Sequence, residues 1–251
     1  MRARLALLLP LVALALAGCE SKPHRNPFDP PASATKPPPK ITEAPKQEGP
    51  PELKIDNQGP KVGWVVLMID KPEGRRKFTA EIESKRQYFE GKDVTVLVDR
   101  GAKVEHVVAM IDELDAVGTA HVEIVTGTRP EYPPKLRFFP AKRLKDPAPC
   151  TVTMMILKDR STAVWKMSGG TASRRAKGLA GPDLSTTGET IKRYAKNCDE
   201  SSTMLVSGAE DVEWGLVYDL AGSAQRIEGV KWGKVVLLRE PPIAGRPVKL
   251  G

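Results

Sequence analysis

Aromatic residues are scarce in this 251-residue chain, with four Trp, four Tyr and five Phe making up 5% of it. Any core must therefore be built mainly from aliphatic side chains. Three cysteines and three histidines are present. His24, His106 and His121 stand at no metal-ligand spacing from one another or from Cys19, Cys150 and Cys198, so neither a metal nor a cofactor is expected. Ser168-Gly169-Gly170-Thr171 and Gly181-Pro182 lack the strand–GxxxxGK[ST]–helix setting of a phosphate loop and read as turns. Asp99 and Asp112 stand at a turn and well along a helix, which suits docking better than paired acid–base chemistry. An enzyme is not expected. No apolar run reaches the ~20 residues that span a bilayer.

The longest such run, Leu5 to Ala17, follows Arg2 and Arg4 and ends in Leu16-Ala17-Gly18-Cys19. A basic start, a short apolar stretch and small residues before a cut read as a secretory signal over residues 1–18. The ending resembles the bacterial lipobox, which implies lipid attachment at Cys19 and a membrane held through that lipid. Glu20 stands where an aspartate would favour the inner membrane, so the outer membrane is the expected site, with the protein facing the periplasm. The net charge of +8 invites a nucleic-acid reading. Export argues against it, and anionic lipids and cell wall are the more available partners.

Residues 19–61 show no hydrophobic period and are rich in proline, which predicts a disordered tether. Extended polyproline chain of that length would reach on the order of 100 Å. Ordered structure is expected from Val62. Trp64 to Asp70 reads as one continuous strand, and Arg75 to Glu90 is ambiguous between helix and strand.

The clearest pattern runs from Val94 to Thr126. Val94 to Val98 suits a buried strand. Val104, Val107, Val108, Ile111 and Leu114 then recur at helical steps, and Gly118 stands where a helix ends. Val122 to Val125 makes a second strand, parallel to the first across a right-handed connection. With Asp99, Val107-Val108, Ile111-Asp112, Leu114 and Gly118 at these spacings, the stretch resembles the periplasmic domain of ExbD and TolR, subunits of proton-driven biopolymer transport motors. Val104 departs from the tyrosine usual near that helix start.

After Thr151 the plan returns. Val152 to Asp159 and Thr162 to Met167 read as strands, Leu184 to Lys196 as a helix, and Thr203 to Val206 as a strand. Val212 to Leu220 then resembles the family's second helix, and Val235 to Leu238 closes the unit. The equivalent of Asp99 is Ser207 or Ala209. The expected fold class is thus α+β. Two small ExbD/TolR-like domains occupy 62–127 and 150–240, each a mixed sheet with two helices on one face, followed by a tail at 241–251. Between them, 128–149 reads as a basic, proline-rich connector. Its Lys135, Arg137, Lys142, Arg143 and Lys145, with interleaved aromatics, are candidate binding residues beside Asp99 and Asp112.

With Cys19 given to lipid, Cys150 and Cys198 remain as a pair in an oxidising compartment, and a disulfide is expected. Two separate buried thiols are the alternative. The family's transmembrane helix with its proton-carrying aspartate is missing from this chain. The resemblance therefore implies a non-catalytic, lipid-anchored accessory or binding module of biopolymer transport or envelope maintenance. Its expected partners are a transport-motor subunit or peptidoglycan. The other reading is a structural lipoprotein that binds peptidoglycan or anionic lipid with no motor. A homodimer, or an internal pseudo-dimer of the two copies, is expected, and in a pseudo-dimer the two closing strands should meet or lie on equivalent edges.

Overall fold

In the computed structural model, residues 49–145, 147, 150–196 and 202–250 are described, all within one compact unit, Lys46–Gly251. The leader, Cys19, Glu20, nearly all of the tether before Gly49, and Cys198 lie outside the described residues. No helix among the described residues is long and apolar enough to cross a membrane.

The first half of the unit begins with β1 (Leu53–Asp56), β2 (Gly59–Val62) and β3 (Val65–Val66). Helices α1 (Pro72–Ser84) and α2 (Arg86–Phe89) lead to β4 (Asp93–Val98), α3 (Val104–Ala116), β5 (His121–Val125) and β6 (Lys135–Phe138). These strands form one mixed sheet in the order β3-β2-β1-β4-β5-β6. β1, β4 and β5 run parallel, while β2, β3 and β6 are antiparallel additions.

The second half holds β7 (Val152–Ile156), β8 (Thr162–Lys166) and β9 (Ser173–Arg175), then the small hairpin β10 (Lys177–Gly178) and β11 (Gly181–Pro182). Helix α4 (Leu184–Tyr194), β12 (Thr203–Gly208), α5 (Trp214–Gln225) and β13 (Lys234–Leu237) complete it. Its sheet has the order β13-β12-β7-β8-β9. Aside from the hairpin, α2 and the extra β6, the two halves share one topology: three antiparallel strands, helix, strand, helix, strand. β1 matches β7, β4 matches β12, and β5 matches β13.

Equivalent backbone bonds align the halves, and they do so without a gap from the end of β4 into α3. Asp99 N–H donates to Ile55 O and Ala209 N–H to Ile156 O, both at 2.8 Å. Ala102 N–H returns to Asp99 O as Val212 N–H does to Ala209 O. The counterpart of Asp99 is therefore Ala209. The helix-capping residues Lys103 and Glu213 are equivalent, and they meet each other in an antiparallel bridge. Such self-pairing of matched positions marks a pseudo-twofold axis.

Four boundaries differ from expectation. Ordered structure begins before Val62, because β1 and β2 fall inside the stretch assigned to the tether; Leu53, Ile55 and Val62 alternate into the core despite the proline-rich neighbourhood. Trp64 to Asp70 is not one strand. Only Val65–Val66 pairs, at the sheet edge, before the chain turns into α1 at Pro72. The proposed connector contains β6, which pairs with β5 and buries Leu136 and Phe138. The C-terminal tail is also packed, with Val248 buried and its N–H donating to Met167 O. The ambiguous segment after Arg75 is helical, with Phe78, Ile82 and Phe89 inward.

One hydrophobic core runs through both halves, joining Val107, Met110 and Leu114 of α3 with Trp214, Val217 and Leu220 of α5. The halves are thus fused. β7 and β12 are buried along their whole length because a second core, built on Met155, Trp165, Leu205 and Val236, covers their other face with Leu144 and Val248. The first sheet keeps that face wet, and β4 alternates buried and exposed. β5 is internal and β6 forms the edge beyond it, where Phe139 N–H donates to Val235 O of β13 at 2.7 Å. The two closing strands therefore neither meet nor lie on equivalent edges: β13 ends its sheet, whereas β6 covers β5.

Candidate functional site

Most residues singled out from the sequence are engaged in ion pairs, and Asp112 makes its pair across the two halves. Asp112, on α3, is 8% exposed and accepts from Arg239 Nε at 2.9 Å, with Arg239 Nη2 closer still and Lys142 Nζ at 3.8 Å. Asp99 is different. It is half-exposed after β4 and has Lys54 Nζ at 3.8 Å. The two aspartates engage separate partners and do not form a pair.

The basic residues of 128–149 are not a free patch. Lys135 Nζ and Arg137 Nη2 converge on Glu123 at 2.9 and 3.2 Å, and these cations hold the Glu123 carboxyl below its usual range. Arg143 pairs with Asp115 and donates Nη2 to Thr119 O at 3.0 Å. Lys145 is exposed. The aromatics are packed as well: Phe138 lies against Trp214 with ring centroids 5.7 Å apart, and Phe139 carries Lys234 over its face.

Sequence reasoning missed a second ion pair between the halves. Arg100 grips Asp219 with both guanidinium Nη atoms, at 3.0 and 2.7 Å, while Thr128 Oγ1 donates to the same carboxylate at 2.7 Å. The hydrogen bond to Asp219 raises the Arg100 pKa despite partial burial. Nearby, the first N–H groups of α5, otherwise without helical partners, are satisfied across the junction: Trp214 N–H by Ala102 O and Gly215 N–H by Arg100 O. Trp214 is fully buried and donates Nε1 to Thr126 Oγ1 at 2.7 Å. Arg100 and Asp219 lie far apart in the chain, so no local pattern could have found them.

A second missed cluster joins Asp70, Lys103 and His106. His106 is buried on α3, not at a surface or boundary, with Nε2 3.0 Å from Asp70 Oδ1. Lys103 Nζ donates to Asp70 Oδ2 at 3.1 Å. These contacts, His106 first, lower the Asp70 pKa. Asp70, Glu105 and His106 are close enough to hold a cation. However, Lys103 already occupies the carboxylate, and buried His106 Nδ1 lacks the acceptor that orients a metal-bound imidazole. The other described histidine, His121, bonds Asp93 at 2.7 Å.

Three surfaces remain open. A groove of about 800 Å³ runs along the pseudo-twofold junction, with Ala102, Val104, Met155, Val212 and Leu238 inside and charged residues such as Lys103 and Glu210 at its rim. The outer edges of the two sheets are the equivalent strands β3 and β9, and they differ in chemistry. β3 and its flanks expose Trp64, Val65, Val66 and Met68. Around β9, β10 and α4 stand Lys177, Lys192 and Lys196, which have no acidic partner among the described residues, and Arg174, whose charge helps to lower the Asp159 pKa. Arg175 and Arg193 tie this edge to α4 through Thr190 and Ser173. Cys150, just ahead of β7, is disulfide-bonded, and its partner lies outside the described residues.

Compared with protein-family models, curated proteins and solved structures, the chain matches none.

Proposed function

We propose that this protein is a non-catalytic, lipid-anchored envelope protein whose two ExbD/TolR-like halves act as an accessory or binding module of biopolymer transport or envelope maintenance. The observation that carries this reading is the pair of outer sheet edges, equivalent by topology and different in chemistry, on one fused body. The buried carboxylates Asp112 and Asp219 are engaged in ion pairs between the halves, whereas the edges and the junction groove offer surface for a partner. The lipobox-like Cys19 supplies the anchor and the proline-rich stretch after it supplies reach. Photo-crosslinkers placed in living cells at Arg174 and at Val66 test the reading. Capture of a transport-motor subunit supports the motor-linked module, and crosslinks to no envelope component from either edge contradict it.

The unmatched cations around β9, β10 and α4 favour a second reading, in which the same body is a structural lipoprotein that grips peptidoglycan or anionic lipid without a motor. Binding to purified peptidoglycan that falls at high salt and in a Lys192→Gln/Lys196→Gln variant would support it, because screening weakens exposed charge contacts.

A further inference from the structure

The segment Trp64 to Met68 presents more apolar surface than a sheet edge normally leaves in water. Trp64 is 82% exposed, Met68 64%, and Val65 and Val66 45% each. Edges are usually blunted by charge or cover, and clustered exposed apolar side chains mark contact surfaces. Leu67 and Ile69 point inward, so the segment is fixed from below while its other side chains project.

What lies beside it narrows the partner. Gly74, in the first turn of α1, sits so close to this segment that a Cβ there would come within 1.8 Å of Met68 O. Lys71 stands just before that turn, and Arg75 and Arg76 follow Gly74 in it. All three are exposed and have no ion pair among the described residues. Neighbouring cations are matched instead: Lys61 by Asp56, Lys77 by Glu73, and Lys103 by Asp70. A tryptophan among aliphatic side chains, followed closely in the chain by unmatched cations, suits the interface of an anionic bilayer. There the indole and aliphatic groups enter the headgroup boundary and the cations meet phosphates. About 30 residues separate Cys19 from Gly49, enough when extended to span on the order of 100 Å. A lipid at Cys19 can therefore share a bilayer with the patch.

We infer that Trp64, Val65, Val66 and Met68 form a docking surface for anionic phospholipid bilayers, steered by Lys71, Arg75 and Arg76. This deepens the anchored-module reading and rests on it: the patch would lay the folded body against the membrane that holds Cys19.

The test uses the full chain in vesicles of phosphatidylethanolamine and phosphatidylglycerol, with phosphatidylcholine vesicles as the neutral arm. Brominated acyl chains then quench any indole that enters the interface. Trp165 and Trp214 are buried, so Trp64→Phe isolates the contribution of Trp64 from that of the less exposed Trp232. The expected result is a blue shift and quenching in anionic vesicles that disappear in Trp64→Phe. Both should fall several-fold in Lys71→Gln/Arg75→Gln/Arg76→Gln and in neutral vesicles. Protein that floats with anionic vesicles while wild type and Trp64→Phe quench alike overturns the proposal. So does a Met68 photo-crosslink to the strand of another protein without quenching. Flotation unaffected by Cys19→Ala would instead remove the anchor and leave the Trp64 readout to stand or fall by itself.

Discussion

At the scale of single residues, the fold depends on charges placed where they are matched. Asp219 is almost fully buried, yet it is satisfied by two guanidinium nitrogens of Arg100 and a hydroxyl. Asp219→Ala strands Arg100 and Thr128 and should destabilise the protein by about 2–3 kcal/mol, since bonds to a charged group contribute more than neutral ones. Urea unfolding checks this, with Asp219→Asn expected to lose less because it keeps an acceptor for Thr128. Asp70 provides a pH signature. Its folded pKa lies below the ordinary 3.8, so its contribution is present above that value and lost as pH falls through the lower, folded one. The unfolding midpoint should therefore drop as acid is added below about pH 4. Asp70→Asn should flatten part of that drop. The charges of 128–149 were visible in the sequence, but their pairing was not: Lys135, Arg137 and Arg143 find Glu123 and Asp115 only once β6 has paired with β5.

At the scale of elements, periodicity revealed what is local. β4, α3 and β5 stand where Val94 to Thr126 placed them, because an aliphatic run and a helical stripe are both local signals, although β4 alternates buried and exposed where a buried strand was expected. The second half was legible in outline for the same reason, from β7 through α5. β1 and β2 were hidden, since four-residue strands containing Pro60 resemble the proline-rich chain before them and become strands only by pairing. Trp64 to Asp70 failed in the opposite direction: a continuous apolar run suggested a central strand, although its outward residues have no layer to cover them. The contact between α1 and this segment depends on Gly74. Gly74→Ala should separate them and cost about 1–3 kcal/mol by overpacking against backbone. Hydrogen exchange should rise at Leu67 to Ile69 in that variant and stay near wild type in β12.

At the scale of the whole molecule, the two copies form one body because α3 and α5 share a core and the pseudo-twofold axis brings Lys103 to Glu213. Each copy alone would expose that core, so joining them offsets the small size of either. Cys150 adds a covalent constraint to the second half. Peptide mapping without reduction should recover it linked to Cys198, and reduction should lower stability by roughly 2–4 kcal/mol. Recovery of Cys198 as a free thiol would refute that pairing. At this scale the proposed function rests on the proposed lipid anchor at Cys19. The most direct measurement is the mass of the N-terminal peptide of the protein purified from membranes. The account predicts a chain that begins at Cys19 and carries diacylglycerol on its sulfur. A mature chain that retains residues 1–18, with Cys19 unmodified, would contradict it.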